Sequence, residues 1–194
     1  LVPSSFYPEF NTIGSYAQVG EVSRSERRLQ MDKIKVLFLC THNSARSQMA
    51  EGLLRHLYGE RYESYSAGSS PTQVNPLAIR VMAEIGIDIS NQTAKSIERF
   101  RNKDIDVVVT VCIRSANVIC PFCSSPITGD RPEIIKMTLP GAKQFLQHGF
   151  SDPSEVDGTD EERIAAFRHT RDDMKEWILS YFADLKVEGS GSRM

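Results

Sequence analysis

Three observations predict an α/β fold, with a central, mostly parallel four-stranded sheet carrying helices on both faces. Short apolar runs alternate with stretches of helical period, the order that builds strand–helix–strand units. Two of those runs, residues 34–39 and 106–111, are predominantly apolar rather than alternating, as strands buried on both faces should be. Finally, 194 residues, 40% hydrophobic and 25% charged, are enough for one core and one domain.

Residues 1–30 are polar, with scattered Gly, Ser and Pro and no helix or strand period. They are read as an N-terminal extension, natural or appended and expected to be disordered, with Met31 a candidate start. The domain is assigned to 31–187, and 188–194 has the composition of a flexible tail. A net charge of −2 gives no electrostatic reason to expect nucleic acid or membrane binding. No apolar run approaches the ~18 residues a membrane helix needs, and the basic-then-apolar order of a signal peptide is missing. Four cysteines without a secretory signal point to a reducing compartment and to thiols used chemically. A cytoplasmic monomer is expected.

The first strand, 34–39, ends on Cys40. Met49, Leu53, Leu54 and Leu57 then recur at helical spacing, so a helix begins near Arg46. Residues 63–67 form a second strand ending at Gly68. Asn75 caps a helix with Pro76 in its first position; Ala78, Val81, Met82 and Ile85 are its buried stripe, and Gly86 is its C′ stop. The third strand, 106–111, is apolar enough to be central and ends on Cys112. Little is regular from Arg114 to Gly149, which holds Cys120-Pro121-Phe122-Cys123 and a short strand at 145–150. In the last helix Thr159 and Glu162 make a capping box, and Ile164, Phe167, Met174, Ile178, Tyr181 and Leu185 share one face. Sites in open parallel sheets gather at the carboxyl ends of strands. Cys40 and Cys112 both sit there, which makes them candidate neighbours in space.

Chemistry concentrates in residues 40–52, Cys-Thr-His-Asn-Ser-Ala-Arg-Ser-Gln-Met-Ala-Glu-Gly. A strand, a tight loop and a helix N-terminus make an anion site, where the backbone N–H groups of Thr41, His42, Asn43, Ser44, Ala45 and Arg46 converge with the helix dipole. That field favours thiolate, so Cys40 is expected to be a nucleophile at neutral pH. The planar guanidinium of Arg46 suits two oxygens of a tetrahedral oxyanion. Ser47 can donate its hydroxyl to the Cys40 thiolate, Asn43 and Ser44 are expected to pin the loop, and His42 to face solvent. The alternative for this Cys-x5-Arg spacing is a buried structural cysteine beside an exposed arginine.

Residues 36–52 resemble the phosphate loop of the low-molecular-weight tyrosine phosphatases. Residues 43–52 resemble the arsenate reductase branch of that fold, with His42 standing where the branch usually has Gly. Tyr65-Ser66-Ala67-Gly68, Asn75-Pro76-x-Ala78, residues 88–93, Val108-Val109-Thr110-x-Cys112, Cys120-Pro121, Gly149-Phe150-x-Asp152-Pro153 and Arg171-Asp172 follow in the order found in thioredoxin-coupled arsenate reductases. The resemblance spans roughly 34–180.

The resemblance implies a thiol relay. Cys40 forms an adduct with arsenate, Cys112 attacks the Cys40 sulfur, arsenite leaves, and a third thiol then takes over Cys112 by exchange. Thioredoxin supplies the electrons, and no bound cofactor or metal is expected. The gap from Cys112 to Cys120 and the stretch 124–147 are longer than usual, and Cys123 adds a Cys-x2-Cys pair. The third thiol is therefore Cys120 or Cys123, with Cys120-Pro121 favouring Cys120. A zinc site from Cys112, Cys120, Cys123 and His148 lacks the paired spacing of a convincing one. Asp152-Pro153 stands where the fold places its general acid; the alternative is an ordinary Asp-Pro turn. Some relatives hold potassium with residues matching Asn43, Glu51, Ser66 and Thr93, plus an Asp where this chain has Lys95. Either the Lys95 ammonium takes the cation's place beside Glu51, or it is solvated. Two rival functions remain. A low-molecular-weight protein tyrosine phosphatase would use only Cys40, Arg46 and Asp152, but Ser154-Glu155 replace the aromatics usual there. A non-catalytic oxyanion or arsenical sensor fits poorly with the intact Cys, Arg and Asp set.

Overall fold

The computed structural model describes residues 33–112 and 133–187. Residues 1–30 and 188–194, and the thiols of Cys120 and Cys123, lie outside the described residues.

Four strands, β1 (Ile34–Cys40), β2 (Tyr62–Gly68), β3 (Val107–Cys112) and β4 (Gln144–Phe150), form one sheet in the order β2-β1-β3-β4. Every pairing is parallel, and parallel neighbours need crossovers that return the chain to the starting edge. The helix α1 (Arg46–Tyr58) supplies the first crossover, between β1 and β2. The chain then passes back over β1 to β3, so the direction of winding reverses between β1 and β3. Their carboxyl ends flank the crevice where such sheets bind ligands.

The apolar run in β1 works as a two-faced strand. Val36 and Phe38 join the core on one face, Leu37 and Leu39 the core on the other, and all four are fully buried. Each such side chain contributes about 2 kcal/mol by leaving water. The first face is covered by α1, α2 (Pro76–Ala83) and α4 (Asp160–Phe182). The second is covered by a 3-10 turn (Ile97–Phe100) and by α3 (Glu133–Thr138), through Ile97, Phe100, Ile135 and Leu139.

Local signals explain the helix ends. Asn75 Oδ1 accepts from the Leu77 N–H at 2.8 Å, with Pro76 following. Gly86 has φ +77° and donates to Ala83 O at 3.0 Å, while Ile87 donates to Met82 O at 3.0 Å. That pair of bonds is a Schellman stop, which needs the left-handed residue that glycine supplies. Ile85, expected in the α2 stripe, lies beyond the helix and is half-buried. At α4, Thr159 and Glu162 make the reciprocal capping box.

The α4 stripe differs from the sequence expectation. Its buried residues run Ile164, Phe167, Thr170, Arg171, Met174, Ile178 and Phe182. Tyr181 is half-buried and stacked on Trp177, and Leu185 is buried past the helix end. The charged Arg171 hides the true spacing. It sits inside because its guanidinium donates to Val81 O at 2.8 Å and pairs with Glu84 and Asp172, which offsets the desolvation of its charge.

Candidate active site

The loop from Cys40 to Arg46 is shaped by what its carbonyls do. Thr41 O accepts from Ser70 N (2.9 Å), His42 O from Thr72 N (3.1 Å), and Ser44 O from Asn75 N (2.9 Å). Asn43 O accepts from Gln48 Nε2 (2.9 Å), and Ala45 O opens the helix by accepting from Met49 N (2.9 Å). Each carbonyl is thus drawn outward. A trans peptide holds the C=O of one residue antiparallel to the N–H of the next, and no cis bond occurs among the described residues. The N–H groups that follow are therefore turned inward, and one of them, Asn43 N–H, points at Cys40 Sγ from 3.1 Å. Asn43 adopts φ +47° to make the reversal, a conformation asparagine tolerates better than most residues.

α1 begins at Arg46 with no side-chain cap at Ala45 and no acidic residue in its first turn, so its positive end faces the loop unneutralised. Gly68, the last residue of β2, lets the loop come close. A Cβ there would stand 2.5 Å from Thr41 O and 2.9 Å from Asn43 N.

Cys40 is buried, and its Sγ lies 2.9 Å from Ser47 Oγ. Ser47 Oγ accepts in turn from Asn43 Nδ2 at 2.8 Å. Arg46 donates through one terminal nitrogen to Phe150 O at 3.2 Å and through the other to Asp152 Oδ2. The other Asp152 oxygen accepts from Ser154 N at 3.1 Å, so this carboxylate caps the turn Pro153–Glu155 while facing Arg46. A cavity of about 240 Å³ opens above Cys40, walled by His42, Ser44, Ala45, Arg46, Thr72, Asn75, Asp152 and Ser154. None of those residues carries an aromatic carbocycle. His42 is exposed at the rim.

The second thiol is placed differently from the simple expectation. β1 and β3 are neighbours, with Leu39 opposite Thr110, so the ends bearing Cys40 and Cys112 lie side by side. Their side chains occupy opposite layers, however. Cys40 packs with Val36, Phe38 and Met49, whereas Cys112 packs with Leu37, Leu39, Ile97 and Phe100. The cause is pleat parity, since alternate residues of a strand point to opposite faces. The register breaks between Thr110 and Cys112. Both thiols are buried and neither is in a disulfide.

The residues expected around a cation come together behind the loop. Glu51 is buried; its Oε2 accepts from Ser66 Oγ at 2.5 Å and lies 3.3 Å from Lys95 Nζ, and its Oε1 pairs with Arg55. Lys95 Nζ also donates to Thr93 O at 2.9 Å, and Lys95 N donates to Asn43 Oδ1 at 2.7 Å. Thr93 takes part through its carbonyl. His148, the histidine of the zinc alternative, stacks flat on Trp177 at 4.6 Å and 11°, and burial pushes its pKa down.

Sequence reasoning gave no role to Gln48 or to the Phe150 carbonyl. Gln48 carried a usable signal, a polar residue on the buried side of a helix's first turn; a carbonyl partner carries none.

Residues 35–190 match the profile of the low-molecular-weight phosphotyrosine protein phosphatases. The chain is 40% identical over 151 residues to an arsenate reductase of Halalkalibacterium halodurans, covering 78% of this chain and 96% of that one. It is 39% identical over 145 residues to an arsenate reductase of Bacillus subtilis, covering 74% and 91%. Among solved structures, it is similar to an arsenate reductase in the phosphate binding state, at 32% identity and TM-score 0.56, covering 78% of this chain and 98% of that one.

Proposed function

We propose, for a chain that belongs to the low-molecular-weight phosphotyrosine protein phosphatase family and to the arsenate reductases within it, that Cys40 is the nucleophile that reduces arsenate to arsenite. The observation that carries this assignment is an oxyanion cradle with the Cys40 sulfur at its base, 2.9 Å from Ser47 Oγ, beside a strand end that bears a second thiol, Cys112. The relative solved in a phosphate binding state supports a tetrahedral oxyanion as the occupant.

In the proposed reaction the Cys40 thiolate attacks arsenic(V), and a hydroxyl leaves as water on a proton from Asp152. Arg46 and the loop N–H groups hold the remaining oxygens. The Cys112 thiolate then attacks Cys40 Sγ. A Cys40–Cys112 bond forms, the sulfur–arsenic bond breaks, and its electron pair leaves with arsenic, which is now arsenic(III). Two thiols have supplied two electrons. Cys120, or Cys123 in its place, next attacks Cys112 and frees Cys40, and the dithiol of thioredoxin reduces the resulting disulfide. This chemistry belongs to a reducing cytoplasm and needs no second subunit.

Because Cys112 faces the other layer, the second step requires its sulfur to cross to the Cys40 side. The register break beside it is a point where the strand end can turn without unpairing the rest of β3. The walls of the cavity favour a small oxyanion over an aryl phosphate, since among the described residues their one ring is the His42 imidazole, exposed at the rim. The test is a comparison of reduced protein given arsenate with the same protein given an aryl phosphate. Stoichiometric arsenite release that disappears in Cys112→Ser is expected. Aryl phosphate turnover equal in Cys112→Ser, with no arsenite released from arsenate, would assign the site to phosphate ester hydrolysis instead.

A further inference from the structure

We infer that Gln48 is a positioning residue that fixes the polarity of the hydrogen-bond chain ending on the Cys40 sulfur. The chain can be oriented from its far end. Lys95 N is a backbone donor, and it meets Asn43 Oδ1 at 2.7 Å, so that end of the Asn43 amide is the oxygen. Gln48 Nε2 reaches the same oxygen at 3.0 Å. The opposite end of the amide must then donate, and it meets Ser47 Oγ at 2.8 Å. With a lone pair of Ser47 occupied in this way, its hydroxyl proton is directed at Cys40 Sγ, 2.9 Å distant. A hydroxyl held as donor stabilises thiolate over thiol.

Gln48 does more than duplicate the Lys95 donor. The same Nε2 holds Asn43 O at 2.9 Å and Thr93 O at 3.0 Å. It therefore clamps both the main-chain and the side-chain oxygen of the one loop residue with positive φ. Drawing Asn43 O outward aims the Ser44 N–H into the cradle, and drawing Asn43 Oδ1 away aims Nδ2 at Ser47. A single amide thus sets both the oxyanion cradle and the thiolate support. Its own orientation is not free. Flipping it would press Oε1 against three oxygens, while in the observed orientation Oε1 is buried with no donor among the described residues. An orphaned buried acceptor carries a penalty, so the three contacts on the nitrogen side dominate.

The inference rests on Cys40 being the nucleophile, and its test reads that thiol without using arsenate. Reduced full-length protein is alkylated across a pH series, and modification of the Cys40 peptide is followed by mass spectrometry. Gln48→Met keeps length without a donor, and Gln48→Glu keeps shape without a donor when ionised. Either should move the Cys40 profile to higher pH, slow alkylation at pH 7 by about five- to tenfold, and weaken protection by inorganic phosphate. In a Ser47→Ala background Gln48→Met should move the profile much less, because the thiolate support it removes passes through Ser47. An unchanged profile in a folded variant would overturn the inference, and so would a shift of equal size without Ser47. Loss of cooperative unfolding in both variants would overturn it too, by making Gln48 a structural residue. If the profiles behave as expected but no arsenite is released, the reductase reading fails and this one stands.

Discussion

At the residue scale, the proposed reaction gives Arg46 the task of holding the oxyanion and Asp152 that of protonating it. Arg46 presents a planar fork, so Arg46→Lys keeps the charge and loses the paired geometry. Its kcat/KM for arsenate should fall about a hundredfold, measured by single-turnover arsenite release. Asn at position 152 can still cap the Pro153–Glu155 turn through its oxygen, as Asp152 Oδ1 does with Ser154 N, but it has no acidic proton to give. Asp152→Asn should therefore unfold at the same temperature as the unsubstituted protein while losing about 10²- to 10⁴-fold in rate. A rate within threefold, roughly 0.7 kcal/mol, would remove Asp152 from the acid role.

Lys95 supplies positive charge behind the loop. We propose that its ammonium, 3.3 Å from Glu51 and 2.9 Å from Thr93 O, replaces a bound potassium ion as the counter-charge behind the loop. Potassium should then raise neither activity nor melting temperature above a sodium control in the unsubstituted protein. Lys95→Asp, with a fresh carboxylate facing Glu51, should become potassium-responsive. A potassium response in the unsubstituted protein would sink the proposal.

At the scale of elements, α4 is fastened to α2 by charge as well as by apolar packing. The hydrogen bond from Arg168, with its charge and the contribution of Arg171, holds the Glu84 carboxyl down to about 2 from an ordinary 4.5. A carboxyl depressed on folding stabilises the protein above its unfolded value and loses that contribution as pH falls toward the folded one. Glu84→Gln should therefore melt roughly 3 °C lower at pH 7. The two proteins should converge between about pH 4.5 and 2, followed by thermal unfolding across that range. Parallel curves down to pH 2 would mean that the ion pairs add nothing.

The elements also show what the sequence made legible. The Cys40 loop could be read because everything that defines it is local: an apolar strand, a thiol, a short loop, and a helix beginning at Arg46. Gly86 and the Thr159–Glu162 box were legible for the same reason. Arg171 was missed in the α4 stripe because its burial depends on partners at positions 81 and 84, while Tyr181 packs against the same core but is only half-buried. The layer occupied by Cys112 follows from parity and register between two strands far apart in the chain, which no local pattern encodes. The partners of Gln48 lie partly in the distant 93–95 segment, so its role was invisible until that segment was placed.

At the scale of the molecule, the strand order β2-β1-β3-β4 accounts for why an oxyanion cradle and a second thiol share one end of the sheet. The winding reverses between β1 and β3, so the carboxyl ends of both strands open on the same crevice, one carrying Cys40 and the other Cys112. The same sheet keeps the two sulfurs in separate cores while the protein is at rest. On the proposed relay, the Cys112 sulfur has to leave its layer before it can meet Cys40.

The most direct test of the relay is disulfide mapping after one turnover. Reduced protein carrying both Cys120→Ser and Cys123→Ser is mixed with arsenate, quenched with an alkylating agent, digested and mapped by mass spectrometry. One arsenite released per protein is expected, with a Cys40–Cys112 disulfide that accumulates because nothing removes it. Arsenite release with Cys40 and Cys112 both recovered as alkylated thiols would contradict it.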